Sequence, residues 1–316
     1  AWLKRRHGWE VQKSWMAPTP GIVPALNYCV RAFTSPGEAV IIQTPVYYPF
    51  FSAIENNGRR TLRNSLRFDE GRFTMDVDDL RRKINEGGRM LILCSPHNPV
   101  GRVWTRDELE AIGRLALERD LIVVSDEIHH DIVYHGHRHQ VFAAISPELA
   151  ERTLTCIAPS KTFNIPGLAT AAVVSSNADL LKKFEDEAER AGFELGQVFG
   201  LVGFEAAYTH GEPWLKELLL YLEANVDFME KFLKERIPRI RLVRPEGTYL
   251  ALLDARGLGL KPSELNDFFL KRAGVYFSDG LMFGSELEGF VRINFACPRA
   301  VLAEALERIE RAVQSL

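Results

Sequence analysis

Five short runs of nearly unbroken apolar residues most constrain what this chain can fold into. They are AVIIQTP (39–45), MLILCSP (90–96), LIVVSDE (121–127), TLTCIAPS (153–160) and ATAAVVSS (169–176). Each is continuous rather than alternating, so a strand made from it needs cover on both faces. Between the second and third lies RDELEAIGRLALERD (106–120). It sets Leu109, Ile112, Leu115 and Ala116 at helical spacing, after a Thr105 N-cap whose capping box Glu108 would close. Strand–helix alternation of this kind predicts an α/β fold with a mostly parallel, doubly wound sheet. After about residue 210 the pattern changes. EPWLKELLLYLEANVDFMEKFLKERI (212–237) reads as one long helix. Strands follow within 241–255 and at VRINFA (291–296), with one helix from Ser263 and a closing helix from about Arg299. The expectation is a large domain over 14–210 and a smaller C-terminal α+β domain over 211–316, with residues 1–13 packing near the smaller one.

Bulk properties exclude several classes. The 316 residues are 46% hydrophobic, enough for a large core, and the net charge of −3 carries no basic excess that would ask for nucleic acid. No apolar run reaches the ~18 residues of a membrane span. The basic start AWLKRRHGWE is not followed by the apolar stretch of a signal peptide. Cys29, Cys94, Cys156 and Cys297 form no CxxC pair, and three of them sit in apolar runs, which fits buried thiols in a reducing cytosol. The chain starts without Met, and an upstream segment is expected. HHDIVYHGHRH (129–139) reads as an exposed loop with no metal, LKRRHGWE as a solvated helix face, and GRRTLRNSLRF (58–68) as a solvated edge.

In open α/β sheets, ligands sit beyond the carboxyl ends of the strands. Four polar clusters fall at such ends: TPVYYPF, CSPHNPVGR, SDEIHHD and APSK. They are expected to converge. Lys161 lies in a small polar turn between two strand runs. A desolvated lysine loses proton affinity, and a neutral amine attacks an aldehyde to give a Schiff base. Asp126 ends an apolar run and needs a cationic partner, such as a protonated pyridine nitrogen, or several donors, as for an ordinary strand-end aspartate capping the next helix. Asn98, in HNPVG, reads equally as a turn residue or a ligand contact. Gly21 precedes a helix running to about Ala32, whose free N–H groups at Gly21, Ile22 and Val23 suit a phosphate.

At these residues the sequence resembles the fold-type I pyridoxal-phosphate enzymes, the class I/II aminotransferase superfamily. SPHNPVGRVW, VVSDEIHHDIVY, APSKTFNIPGL and VRINFACPR carry the likeness in order along the whole chain. General aminotransferases of that group have an arginine in a Gly-x-Arg pattern after the lysine, and commonly a tyrosine three residues after the aspartate. Here those places hold Ala169 and His129. Both departures, with TPGIVPAL, TPVYYPFF and LKRRHGWEV, resemble the cystathionine β-lyase branch, also called cysteine-S-conjugate β-lyases.

The resemblance implies pyridoxal 5′-phosphate as cofactor, with Lys161 as its Schiff-base partner and the group that moves the substrate Cα proton. It further implies that Asp126 pairs with the pyridine nitrogen and Asn98 with the phenolic oxygen. Tyr47 would stack on the ring, a role Tyr48 could equally take; Tyr48 otherwise lies on the substrate side. Ile22, Val23 and Ser160 would hold the phosphate, His129 would line the ring's other side, and Arg292 would grip the substrate carboxylate. The implied reaction is β-elimination from an S-substituted L-cysteine such as cystathionine; the alternatives are an aminotransferase and a non-catalytic cofactor-binding regulator. The family also implies a homodimer, and an upstream segment that lends a tyrosine to the neighbouring subunit.

Overall fold

The computed structural model describes residues 1–194 and 196–316. Nine strands precede residue 180: β1 Met16–Thr19, β2 Ala39–Ile42, β3 Arg60–Arg63, β4 Arg67–Asp69, β5 Arg72–Thr74, β6 Gly88–Cys94, β7 Ile122–Asp126, β8 Thr153–Ile157 and β9 Ala171–Val174. β4 and β5 form a small hairpin. The other seven make one sheet in the order β1-β9-β8-β7-β6-β2-β3. Its middle is parallel from β3 to β8, and β9 and β1 join antiparallel.

Both faces of this sheet are covered, which is why the strand runs are continuous. Val40, Ile42, Met90, Ile92 and Val124 point to one side, against Ala25, Leu26, Cys29 and Val30 of helix α2 (Ile22–Phe33). Their neighbours Ile41, Leu91, Leu93 and Val123 point to the other, against Leu109, Ile112, Leu115 and Ala116 of the helix Arg106–Glu118. Each fully buried aliphatic side chain contributes about 1.5–3 kcal/mol. The capping box at Thr105 forms as its sequence predicts: Glu108 N–H donates to Thr105 Oγ1 and Thr105 N–H to Glu108 Oε2. β3 is the sheet's edge, with Arg60 and Arg63 exposed.

β10 Arg241–Val243, β11 Leu250–Asp254, β12 Ser278–Asp279 and β13 Phe290–Asn294 build a second, antiparallel sheet in the order β10-β11-β13-β12. The helices Glu212–Arg236 and Arg299–Gln314 pack on it through Leu222, Val226, Met229, Leu306 and Ile309. Among the described residues no helix is long and apolar enough to cross a membrane.

Two expectations are corrected. LKRRHGWE is not a solvated helix face. Trp2 and Trp9 are buried, and Trp9 packs among Val141, Ile157, Ala172 and Val174 at the large sheet, with Arg5 paired to Glu212 of the long helix. Residues 1–13 therefore rest mainly on the large sheet and touch the second part through that ion pair. The stretch 129–139 is likewise no exposed loop: His129, His130, Asp131 and His139 are buried, and the exposed tip is confined to residues 135–138. The reason is a set of internal charge pairs, described below, that alternating hydropathy does not reveal.

Candidate active site

The central strands end level with one another. In register, Cys94 of β6, Asp126 of β7 and Cys156 of β8 lie side by side at the carboxyl edge. The polar clusters after these strands and after β2 therefore share one space. That space is a cavity of about 440 Å³, closed on its far side by β11 and β13. All ten residues singled out from sequence line it: Ile22, Val23, Tyr47, Tyr48, Asn98, Asp126, His129, Ser160, Lys161 and Arg292.

Asp126 is almost fully buried and accepts one hydrogen bond, from Ile128 N–H at 3.1 Å. Burial pushes its carboxyl up to about 7, against the opposing pull of that bond and of the Lys161 charge. Lys161 projects from the single helical turn Pro159–Thr162, with Ser160 beside it. Burial lowers its ammonium pKa; Asp126 pulls the other way and the Arg292 charge adds to the lowering.

Arg292 stands on β13 and reaches across to the large sheet. Its Nη1 donates to Asn98 Oδ1 at 3.0 Å and its Nη2 to Ser278 Oγ at 3.1 Å, while its buried Nε has no partner among the described residues. Its guanidinium carbon lies 4.6 Å from the Phe283 ring centroid, a cation–π contact that sets the head group's plane. The bond from Arg292 fixes the Asn98 amide with its oxygen turned toward the guanidinium. Tyr47 is tied to the same turn, its N–H donating to Asn98 O at 3.1 Å, and its ring lies 5.2 Å from that of Tyr48. Tyr47 is half-buried, while Tyr48 is 43% exposed, so the doublet that looks equivalent in sequence separates into an inner and an outer ring.

His129 is buried, its Nδ1 unpartnered among the described residues, and lies edge-on to Tyr249 at 5.6 Å. Burial, then the charges of Lys161, Arg292 and His130, push its pKa down to about 3, so the ring is neutral. On the opposite wall α2 begins at Gly21, whose φ of 155° and ψ of 170° only glycine adopts without strain. No side chain caps this helix, and Pro24 at its third position has no N–H, so the Ile22 and Val23 amides carry its open donors into the cavity. Where general aminotransferases carry the Gly-x-Arg arginine, Ala169 sits with φ 44° and lines the cavity without charge.

Sequence reading did not find Tyr249, Thr170 and Asn294, which also line the space. Asn294 lies two residues after Arg292 on β13, and Leu250, next to Tyr249, pairs with it across the ladder. A polar residue at that two-residue spacing was the available signal. Tyr249 gave none, because a tyrosine entering a strand reads as ordinary core.

A pKa-lowered lysine beside a buried carboxylate, at the carboxyl edge of a mostly parallel sheet, defines an α/β protein built for amine chemistry on a carbonyl compound. The chain belongs to the aminotransferase class I and II family, whose model matches residues 1–309. It is 41% identical over 313 residues to cystathionine beta-lyase PatB of Bacillus subtilis, covering 99% of this chain and 81% of that protein. It is 30% identical to the protein MalY of Escherichia coli, covering 100% of this chain and 80% of that one. Among solved structures it resembles cystalysin from Treponema denticola, which contains a pyridoxal 5′-phosphate cofactor. The TM-score is 0.98 at 38% identity, over 99% of this chain and 80% of that chain.

Proposed function

We propose that the chain is a pyridoxal-phosphate-dependent carbon–sulfur β-lyase acting on S-substituted L-cysteines such as L-cystathionine. The observation that carries this is the meeting of Lys161, Asp126, Asn98 and Arg292 in one cavity of a chain with this family membership. The residues present fit the cofactor. Asp126, raised to about 7 by burial, would be completed by a pyridinium nitrogen, and the uncapped amides of α2 with Ser160 suit a phosphate. Bound there, pyridoxal phosphate supplies an electron sink for negative charge at the substrate Cα.

The chain's own residues do the rest. Lys161, its proton affinity lowered by burial, holds the cofactor and takes the proton from the substrate Cα. Asp126 would keep a proton on the ring nitrogen. Tyr47 would stack on the ring and the neutral His129 would line its other side. Asn98 would meet the phenolic oxygen, and Arg292 would bind the substrate carboxylate in the bidentate manner of a guanidinium. Tyr48, the outer ring, would lie on the substrate side. The balance is S-substituted cysteine plus water giving thiol, pyruvate and ammonia.

The chain would act in the cytoplasm as a homodimer, through two domains, 14–210 and 211–316, whose sheets face each other across the cavity. Support for a second copy comes from the helix Val198–His210, which leaves Val198, Phe199 and Val202 largely exposed. Its four free cysteines suit a reducing compartment.

The test is an absorbance spectrum with added pyridoxal phosphate, then L-cystathionine, with no 2-oxo acid present. A visible band followed by pyruvate release is expected. A band that bleaches without pyruvate and recovers with a 2-oxo acid would make the chain an aminotransferase instead.

A further inference from the structure

Five residues beyond Asp126, on the loop that follows β7, lies another buried carboxylate. Asp131 is fully buried and both of its oxygens are occupied. Trp2 Nε1 donates to Oδ1 at 3.0 Å and Oδ2 at 3.2 Å, and His7 Nε2 lies 2.9 Å from Oδ1. Arg6 Nε pairs with Oδ1 at 2.9 Å, and its Nη2 also donates to the Asp131 carbonyl. On Oδ2, Thr162 Oγ1 donates at 3.1 Å and His130 Nε2 stands 3.1 Å away. His130 Nδ1 donates to the Glu127 carbonyl; burial lowers the ring's pKa, but the Asp131 and Glu127 charges outweigh burial and raise it above the usual value. His7, His130 and Asp131 have the spacing of metal ligands, but the Arg6 guanidinium already holds the cation's place.

This saturated carboxylate reaches the active site through one residue. Thr162 directly follows Lys161, is fully buried, and spends its hydroxyl on Asp131. The next side chain, Phe163, packs edge-on against Trp2 at 5.8 Å and Tyr208 at 5.8 Å. Trp2 thus holds the turn twice, by its ring through Phe163 and by its N–H through Asp131. The turn containing Lys161 is one helical turn long, too short to hold its own orientation.

We propose that Asp131 is a positioning residue for Lys161, acting through the Thr162 hydroxyl and anchored by Trp2, Arg6 and His7 of helix α1 (Trp2–His7). It touches neither substrate nor cofactor. It fixes the turn from which the lysine projects, so the amine meets the substrate Cα at one angle. The inference rests on the reading of Lys161 as the cofactor and proton-transfer residue. Other titratable groups facing the cluster are His139, paired with Glu127, and Tyr208.

The test compares Thr162→Val, which deletes the hydroxyl at constant shape, with Thr162→Ser, which keeps it, and with Asp131→Asn, in the cofactor-loaded enzyme. A small displacement of a catalytic group costs one to two orders of magnitude in rate, so Thr162→Val should lower kcat on the order of tenfold with KM unchanged. The pH midpoint of the cofactor's visible band should move with it, and the cofactor should leave faster. Thr162→Ser should restore both, and Asp131→Asn should reproduce the Val phenotype more strongly. A wild-type kcat and band midpoint in Thr162→Val would overturn the proposal, as would variants that lose only melting temperature. Absence of any band in the wild-type protein would instead overturn the proposed function, and this inference with it.

Discussion

Asp126, at the end of β7, and Asp131, on the loop that follows, are both buried, in a stretch whose sequence, SDEIHHD, gives no hint that they differ. Asp126 accepts one backbone hydrogen bond and its carboxyl is pushed up to about 7. Asp131 has partners on both oxygens; burial opposes its charge, but His130 and His7 hold its carboxyl well below the usual range. A buried charge is tolerated only when paired. An underpaired carboxylate in a cavity is therefore a place kept for a ligand, whereas a saturated one is part of the frame. Arg292 belongs with Asp126 on this measure, since its Nε is buried without a partner among the described residues.

The largest expected effect is on the open side of that comparison. Lys161→Ala removes the amine that takes the Cα proton, and positioned proton transfer is worth about 10²–10⁴-fold. Pyruvate release from L-cystathionine should fall by at least that much. Substantial lyase activity in this variant would end the assignment of Lys161.

The next pair of variants sets the two aspartates against each other, without cofactor. Asp131→Asn breaks a buried charge pair and should cost about 3–5 kcal/mol of stability at pH 8. Asp126→Asn should do the opposite at that pH. A folded pKa near 7, above the unfolded 3.8, means the native state binds the extra proton between those values. Stability from this group is present at low pH and declines as pH rises toward 7. Removing the charge should therefore stabilise the cofactor-free protein at pH 8 by on the order of 1 kcal/mol or more. For Asp131, with its folded pKa depressed, stability is present above the unfolded value and lost as pH falls through the folded one. Urea midpoints at pH 5 and pH 8 check both signs. If Asp126→Asn also destabilises at pH 8, the division between open and saturated carboxylates fails.

What could be read from sequence follows the same division. The sheet was legible because each central strand is apolar on both faces, and the residues carrying chemistry fall at strand ends, where topology gathers them. Lys161, Asp126 and Asn98 were found that way, whereas Arg292, in the middle of β13, was named by the family resemblance alone. The Asp131 cluster was not, because its partners Trp2, Arg6 and His7 lie more than 120 residues away in a segment that reads as a charged surface helix. Burial of a polar loop by long-range ion pairs leaves no periodic trace. Tyr47 and Tyr48 were indistinguishable in sequence for a related reason: which ring faces inward goes with a backbone bond from Tyr47 to the Asn98 turn.

Arg292→Lys tests the open side more gently. Lysine keeps the charge but loses the planar fork that binds Asn98 and Ser278 together with a carboxylate. Charge-assisted hydrogen bonds are worth about 1.5–3 kcal/mol, so kcat/KM for L-cystathionine should fall roughly 10–100-fold, chiefly through KM. A loss confined to kcat would place Arg292 in the proton-transfer machinery instead.

The smallest effect gives the scale against which the others are judged. Thr105→Ala removes the hydroxyl that caps Arg106–Glu118, on the sheet face away from α2, where no bond reaches either aspartate. A lost N-cap costs about 1 kcal/mol. The urea midpoint should drop accordingly, while kcat, KM and the cofactor band stay at wild-type values. If a loss this ordinary also lowered kcat, the turnover lost in Thr162→Val could be charged to general loosening of the fold. An unchanged kcat in the capping variant leaves the Thr162 hydroxyl as the specific link between the saturated carboxylate and the lysine it holds.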